Sequence, residues 1–450
     1  MTSGVAVPVQ RRPLTAAQQS AIDRAWAAID APELARLVRD MVSIPSPPGR
    51  ERQLAEFMTE WMRGAGLDAS YQAVDERQGN AVGRLRGSGG GPELLVWGEL
   101  DTCLGIPAEQ RLGMGDTSRP ELRPEATVRD GYVVGLGAEN PKGLAACAAV
   151  AVAAIARTKV PLRGDIVLGM PGGGMPTSAW DPTNPRQNVA HGAGCDFMLQ
   201  QGVTPDFAIA PKPVYAVSWE EAGLNWFRVT VKGNFGYSGT RHIIPHDNAI
   251  VNAAKVIEGI EEWLPEYARR SQKGIVAPQG IIGAIEGGCS YKPAFYPDVC
   301  HLYLDIRSNP DTRPMEVKRQ LDEALAAICA RHRGLAVDCE MTLAIPGSRT
   351  DPQNWIVQSC MRAWEFVEQR PHVYDAFHSG ATDVNVLRAR GVPVARLGFP
   401  PLDLPAGTQG DLATWMGTVR VENMIKLVKC LIYALVETCT SSIEEVGLAR

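Results

Sequence analysis

Apolar residues recur at helical spacing across 15–43, at Ile22, Trp26, Ile29, Leu34, Leu37, Val38 and Met41, and the run stops at Ile44-Pro45-Ser46-Pro47-Pro48-Gly49. A second amphipathic helix is predicted over 51–66. Short apolar runs predict strands over 68–74, 80–85 and 94–98, the last entered through a glycine-rich turn at 87–91. An alanine-rich helix over 142–158, a strand over 164–170, a helix over 191–201 and a strand over 207–210 follow. Alternating helices and strands of this kind form a mostly parallel mixed sheet with helices on both faces, an α/β arrangement. From Leu224 the pattern changes to strand (226–231), helix (248–267), two strands (280–286, 299–306) and helix (314–330). It then resumes with a strand over 337–343, a helix over 353–367, a strand over 394–398 and a closing helix over 421–437.

Two stretches carry the candidate chemistry. Val96-Trp97-Gly98-Glu99-Leu100-Asp101-Thr102 and Gly135-Leu136-Gly137-Ala138-Glu139-Asn140-Pro141-Lys142-Gly143 each bring acidic or amide side chains to the end of a strand or turn. Open α/β sheets place their ligands at the carboxyl ends of the strands. The first stretch resembles the His-x-Asp strand of the zinc aminoacylase and carboxypeptidase family, which includes acetylornithine deacetylase, succinyl-diaminopimelate desuccinylase and glutamate carboxypeptidase. The second resembles that family's Gly-Arg-Gly-x-x-Asp-x-Lys-Gly segment. Tyr237-Ser238-Gly239-Thr240, Pro297-Asp298-Val299-Cys300 with Asp305-Ile306-Arg307, and His378-Ser379-Gly380-Ala381-Thr382-Asp383 extend the likeness over most of the chain.

The resemblance implies a metallopeptidase-like α/β domain in two parts, 1–218 and 336–450, with an inserted α+β satellite domain at 219–335 that covers the site and pairs two subunits. It also implies a set of positions at which this chain departs. Where the family has a metal-ligating His the chain has Glu99, and where it has the metal-bridging Asp the chain has Asn140. The acidic pair that ends the 164–170 strand, including the general base, is replaced by Gly172-Gly173-Gly174. Lys212 stands in place of an acidic ligand, Tyr237 in place of a His that reaches across the dimer, and Gln409 is the nearest match to a terminal His. Zinc pairs need His, Cys or carboxylate ligands to offset their charge. Two carboxylates and one ammonium are nearly balanced without a metal, so a rebuilt, metal-free site is expected, with a single divalent ion not excluded.

Lys212, Asp101, Glu99, Glu139, Asn140 and His378 are therefore the candidate catalytic residues. Lys212 could supply the electrophilic charge a metal supplies, or fill the old cavity as one half of a buried ion pair. Gly172 to Gly174 could offer backbone N–H groups to an oxyanion or form a plain tight turn. Arg241 and Arg307 are candidate carboxylate anchors because a guanidinium binds carboxylates bidentately; His242, Tyr237, Asp383 and Gln409 complete the candidate binding set.

Composition narrows the partners. A formal charge of -5 without Lys/Arg clusters argues against nucleic acid. No apolar run approaches ~20 residues, so no membrane span is expected, and the first residues lack the order of a secretory signal. Ten cysteines without a Cys-x-x-Cys pair fit reduced core thiols. A cytoplasmic homodimer acting on a small molecule is expected. Three functions stay open: hydrolysis of a C–N bond in a small amide-like or amino-acid-like compound, a changed reaction (lyase, isomerase or bond-forming) on the same fold, and non-catalytic binding or pairing.

Overall fold

The computed structural model describes residues 4–103, 118–177, 188, 191–375, 377–403 and 410–448. The N-terminal helical run is two helices, Ala16–Ala27 and Ala31–Val42. Thr15 and Gln18 close a capping box on the first, and the second starts afresh because the Asp30 carboxylate accepts the Glu33 N–H and Pro32 sits in its first turn.

The chain divides into two units, Met1–Trp219 with Thr350–Ala376 and Thr382–Arg450, and Glu220–Arg349 with Phe377–Ala381. The first is built on a six-stranded sheet in the order Asp68–Ala73, Gly79–Leu85, Ile166–Met170, Leu94–Trp97, Phe207–Pro211, Val394–Leu397. The last four strands are mutually parallel; Gly79–Leu85 runs antiparallel to Ile166–Met170. Those four are buried along their whole length. That is why they read as unbroken apolar runs instead of alternating ones. The helix Lys142–Arg157 covers one face and is buried from Lys142 to Ile155, packed also against Val421–Cys439 and Ala31–Val42. Leu95 and Trp97 point to the other face, into a core with Cys195, Met198, Val384 and Leu387. Burial of each such large side chain contributes roughly 1.5–3 kcal/mol. A small sheet of Thr127–Arg129, Tyr132–Val134 and Thr418–Arg420, not evident from the sequence, ties the 135–143 turn to the chain near Met416.

The second unit has an antiparallel sheet in the order Gly280–Glu286, Val299–Ser308, Gly223–Lys232, Val337–Ile345. Its core joins one face of that sheet to the helices Ala249–Ser271 and Pro314–Arg331. Alternate burial along Val299–Ser308 reflects one covered and one open face. Here the structure differs from the sequence reading. The strand expected to return to the first domain at Val337 instead pairs with Gly223–Lys232, packing Val337, Cys339 and Met341 on this core, and the unit closes only at Arg349. Ser348–Arg349 pairs with Glu220–Glu221, so the chain enters and leaves the unit side by side. Among the described residues no helix is long and apolar enough to cross a membrane, and all ten cysteines are free thiols.

Candidate functional site

Three neighbouring parallel strands of the first unit end together. Leu94–Trp97 delivers Glu99 and Asp101, Ile166–Met170 delivers Gly172 to Gly174, and Phe207–Pro211 delivers Lys212. The extension that carries the two acids is held in place by backbone bonds, Gly98 N–H to Gly169 O (3.0 Å) and Leu100 N–H to Pro171 O (3.1 Å). Ser46 fixes its far side, donating from Oγ to Leu100 O (2.7 Å) and accepting from Thr102 N–H (3.0 Å).

Lys212 is 4% exposed; its ammonium donates to Glu99 Oε2 and lies 4.9 Å from the centre of the Trp97 ring. A carboxylate and an aromatic face both attract a cation in a dry setting. Asp101 is committed elsewhere. Its Oδ1 accepts the Gly174 N–H (2.9 Å) and its Oδ2 the Met175 N–H (2.7 Å). Gly173 N–H goes to Glu51 Oε1 (3.0 Å) and Gly172 N–H to Asn80 Oδ1 (3.2 Å). The glycine turn therefore does not offer its amides to an oxyanion: carboxylates and an amide from elsewhere in the chain already take all of them. Side-chain crowding explains why the turn is glycine. A Cβ at Gly174 would stand 2.5 Å from the Glu99 side chain, and one at Gly173, whose φ is +72°, would stand 2.2 Å from Gln78 Nε2.

Glu51, which sequence reasoning missed, is fully buried beneath this turn. Its Oε1 also accepts the Gly49 N–H (2.7 Å), and its Oε2 has no hydrogen-bond partner among the described residues. Burial first, and the nearby Asp101 carboxylate second, push its pKa up to about 8. Lys142 is equally enclosed, donating from Nζ to Met41 O and Ile44 O (2.8 Å each). Burial pulls its pKa down to about 7 against the opposing pull of Asp101. Glu139 lies deep in the protein but keeps a partly open face beside Phe399, Pro400 and Trp415. Desolvation raises it to about 8, with Lys212 pulling the other way. The backbone N–H groups of Glu139 and Asn140 both reach Met416 O, and Asn140 Nδ2 meets Met416 Sδ at 3.5 Å.

His191, also missed, follows the 172–174 turn in space. Gly192 N–H donates to Gly173 O (2.9 Å) and Gly194 N–H to Gly172 O (3.1 Å). Its ring faces Asp383, Nε2 to Oδ1 4.0 Å, with both side chains wholly buried. Asp383 was named from sequence as a binding residue; the structure puts it at the start of the helix Val384–Ala389.

The remaining candidates lie in the second unit. Arg307 spends its fork on Asp305 (Nε to Oδ1 2.8 Å, Nη2 to Oδ2 2.7 Å) and on Ser379 O, so it is a structural pair rather than an open anchor. His378 accepts the Gly380 N–H on Nδ1 (3.2 Å) and its carbonyl accepts the Ala277 N–H (3.1 Å), which makes it part of a folded turn. Tyr237, Arg241 and His242 are exposed, Tyr237 resting on Phe295 with ring centres 5.1 Å apart. Gln409 lies outside the described residues.

Residues 220–333 match the M20 family "Peptidase dimerisation domain". Human carnosine dipeptidase 1 superposes with a TM-score of 0.67 at 14% identity, over 95% of this chain and 100% of that one. An M20 family metallo-carboxypeptidase of Sulfolobus solfataricus superposes with a TM-score of 0.64 at 13% identity, over 90% and 98%. The chain has the M20 metallopeptidase fold. In sequence, the M20-like chain is 26% identical over 309 residues to the N-formyl-4-amino-5-aminomethyl-2-methylpyrimidine deformylase of Halalkalibacterium halodurans, a stretch covering 65% of this chain and 67% of the relative.

The M20 fold raises the question of a metal, and donor chemistry answers it for these residues. Both Asp101 oxygens accept backbone N–H groups, Glu99 is taken by an ammonium, and Asn140 replaces a charged bridge with a neutral amide. Among the described residues no three His, Cys, Asp or Glu side chains converge as a ligand set. A lysine ammonium inside the array repels a divalent cation, so the residues present do not fit a metal pair.

Proposed function

We propose that the protein is an enzyme that hydrolyses a C–N bond of a small amide-like or amino-acid-like compound, and that it does so without the metal pair that the family resemblance implies. One observation carries this reading: a buried lysine ammonium, held by Glu99 and Trp97, stands at the strand ends where such sheets bind ligands. Lys212 supplies a fixed positive charge for the carbonyl oxygen as it becomes an oxyanion. Glu139, raised by burial to about 8 with the Lys212 charge pulling the other way, takes the proton of the attacking water and passes it to the leaving nitrogen as the C–N bond breaks. The deformylase relative acts on an amide of this size, which supports the substrate class. A second reading, a non-hydrolytic reaction on the same fold, is favoured by the missing carboxylate at Gly172–Gly174. A panel of small N-formyl and N-acyl amides, assayed for release of the free amine, separates them: amine release supports hydrolysis, and conversion without it supports the second reading.

The same purified protein, prepared without chelator, is expected to hold well under one zinc per chain, and its turnover to survive chelation. Near-stoichiometric zinc or manganese by elemental analysis, with activity lost on chelation and restored by metal, would overturn the metal-free reading.

The second unit carries the subunit contact in this proposal. Its match to the peptidase dimerisation domain and the edge strand Gly280–Glu286, with Ile281 and Ile285 more than half exposed, support a homodimer paired along that edge. Light scattering is expected to give twice the chain mass at micromolar concentration, and Ile281→Lys with Ile285→Lys to give the monomer. A parent that is already monomeric sinks the proposal.

A further inference from the structure

We propose a second ligand site, within the second unit: a surface pocket of about 390 Å³ that takes a small organic cation with an aromatic ring, of the arylalkylamine class. Glu286 and Asp298 line it together with Phe235, Phe295 and Tyr296, and among the described residues no lysine or arginine does. Neither acid is neutralised by a neighbour. Asp298 gives its main-chain carbonyl to the Gly233 N–H (2.8 Å), and its carboxylate makes no hydrogen bond or ion pair among the described residues. Glu286 accepts a neutral donor, the Tyr303 hydroxyl, on Oε2 at 2.9 Å, and pairs with no cation among the described residues. Two carboxylates in one pocket repel each other, and a bound cation replaces that repulsion by attraction. The aromatic faces attract the same charge through their ring quadrupoles.

The rings are the reason the cation should carry an aromatic body. Phe235 is 70% exposed and Phe295 43%, although both side chains are wholly apolar. Their planes lie 4° from parallel with centres 5.8 Å apart, and Tyr237 leans on Phe295 at 5.1 Å. An exposed apolar patch rimmed by charge is the make-up of a ligand surface, and the volume suits a small organic molecule. The backbone sets these groups in place. A two-stranded ribbon pairs Gly236 with Tyr296 and Tyr237 with Phe295, and position 236 must be glycine because a Cβ there would collide with the Tyr296 hydroxyl. Tyr296 also rests on the His246 ring, centres 4.8 Å apart. Glu286 stands opposite His301 in the sheet, and His301 Nδ1 is tied to Thr230 Oγ1 at 3.0 Å. Gly288, at φ +77°, turns the chain between Glu286 and the ribbon. Ile281 and Ile285, on which the subunit pairing rests, are not among the lining residues. Rings and acids are therefore set before a ligand arrives, which lowers the ordering cost of binding.

The test titrates the intact protein with phenethylamine, a cation at neutral pH, and with its neutral and anionic analogues phenylethanol and phenylacetate, by calorimetry at constant ionic strength. Saturable binding of the amine is expected at about 1 mM or tighter, with the alcohol at least about tenfold weaker and the acid weaker still. Glu286→Gln with Asp298→Asn is expected to weaken the amine by at least about tenfold, and Phe235→Ala to weaken it as well, with unchanged melting temperatures certifying the fold. Glu99→Gln with Lys212→Met should leave amine binding intact, which separates this site from the strand-end site of the first unit. No saturable amine binding up to about 20 mM, equal affinity for amine and alcohol, parental affinity in the Glu286 and Asp298 double variant, or loss in the Lys212 double variant overturns the proposal.

Discussion

Lys212→Met should unfold more easily than the parent by about 3–5 kcal/mol and lose at least ~100-fold in turnover or ligand affinity. The first figure is the usual cost of removing one partner of a buried ion pair and leaving the other charge unpaired; the second corresponds to about 2.7 kcal/mol of lost stabilisation. Glu99 is 2% exposed, with Lys212 as its cationic partner, so the single variant mixes the two effects. Adding Glu99→Gln separates them. The double variant replaces the ion pair by an amide beside a thioether stem of similar volume, and most of the lost stability should return in urea or thermal unfolding. If Lys212 fills a vacated cavity and nothing more, function returns with stability. If its charge is aimed at a substrate carbonyl or carboxylate, the double variant is as stable as the parent and still inactive. A folded double variant with parental turnover would therefore end the idea of a metal-replacing lysine.

The strand ends were legible because the buried parallel strands are unbroken apolar runs, and an acid or lysine directly after such a run has nowhere else to be. The family resemblance put Glu99, Asp101 and Lys212 at one site, and in the structure their strands are neighbours in the sheet order. Their pairing was not legible. Sequence offered Lys212 either acid, and the structure gives it Glu99, because Asp101 is drawn to the Gly174 and Met175 amides. Glu51 was invisible for a related reason: its partner Gly173 is 122 positions away, and a glutamate at a helix start reads as solvated. The glycine turn was correctly seen as unusual, yet the choice between open amides and a tight turn needed the approach of Glu99 and Gln78 that only the fold supplies. In the second unit the strand at Val337 was visible as a strand; which sheet it joined depended on a register with Gly223–Lys232 that periodicity does not encode.

Glu51 leads to a pH-dependent result that its neighbours cannot mimic. Its carboxyl titrates near 8 in the folded protein and near the ordinary 4.5 once unfolded. Between those values the folded state binds more protons than the unfolded one, so stability must fall as pH rises. From pH 5.5 to 7.5 the loss due to this group is about 2 kcal/mol, at 1.36 kcal/mol per pH unit for a full proton of difference. Glu139, raised likewise, adds to the fall. Lys142 acts in the opposite sense and mainly at higher pH. Lowered from 10.5 to about 7, it favours the folded state increasingly above pH 7, which should flatten the decline towards alkaline pH. Glu51→Gln keeps an oxygen to accept the Gly49 and Gly173 N–H groups but cannot ionise. Its unfolding free energy should therefore be flatter than the parent's by about 2 kcal/mol across that window, the two curves converging below about pH 4, where the parent's Glu51 is protonated in both states. Parallel curves for parent and variant would mean that Glu51 is ionised beside Asp101 after all, and that the charge balance of the strand-end site has been read with the wrong sign.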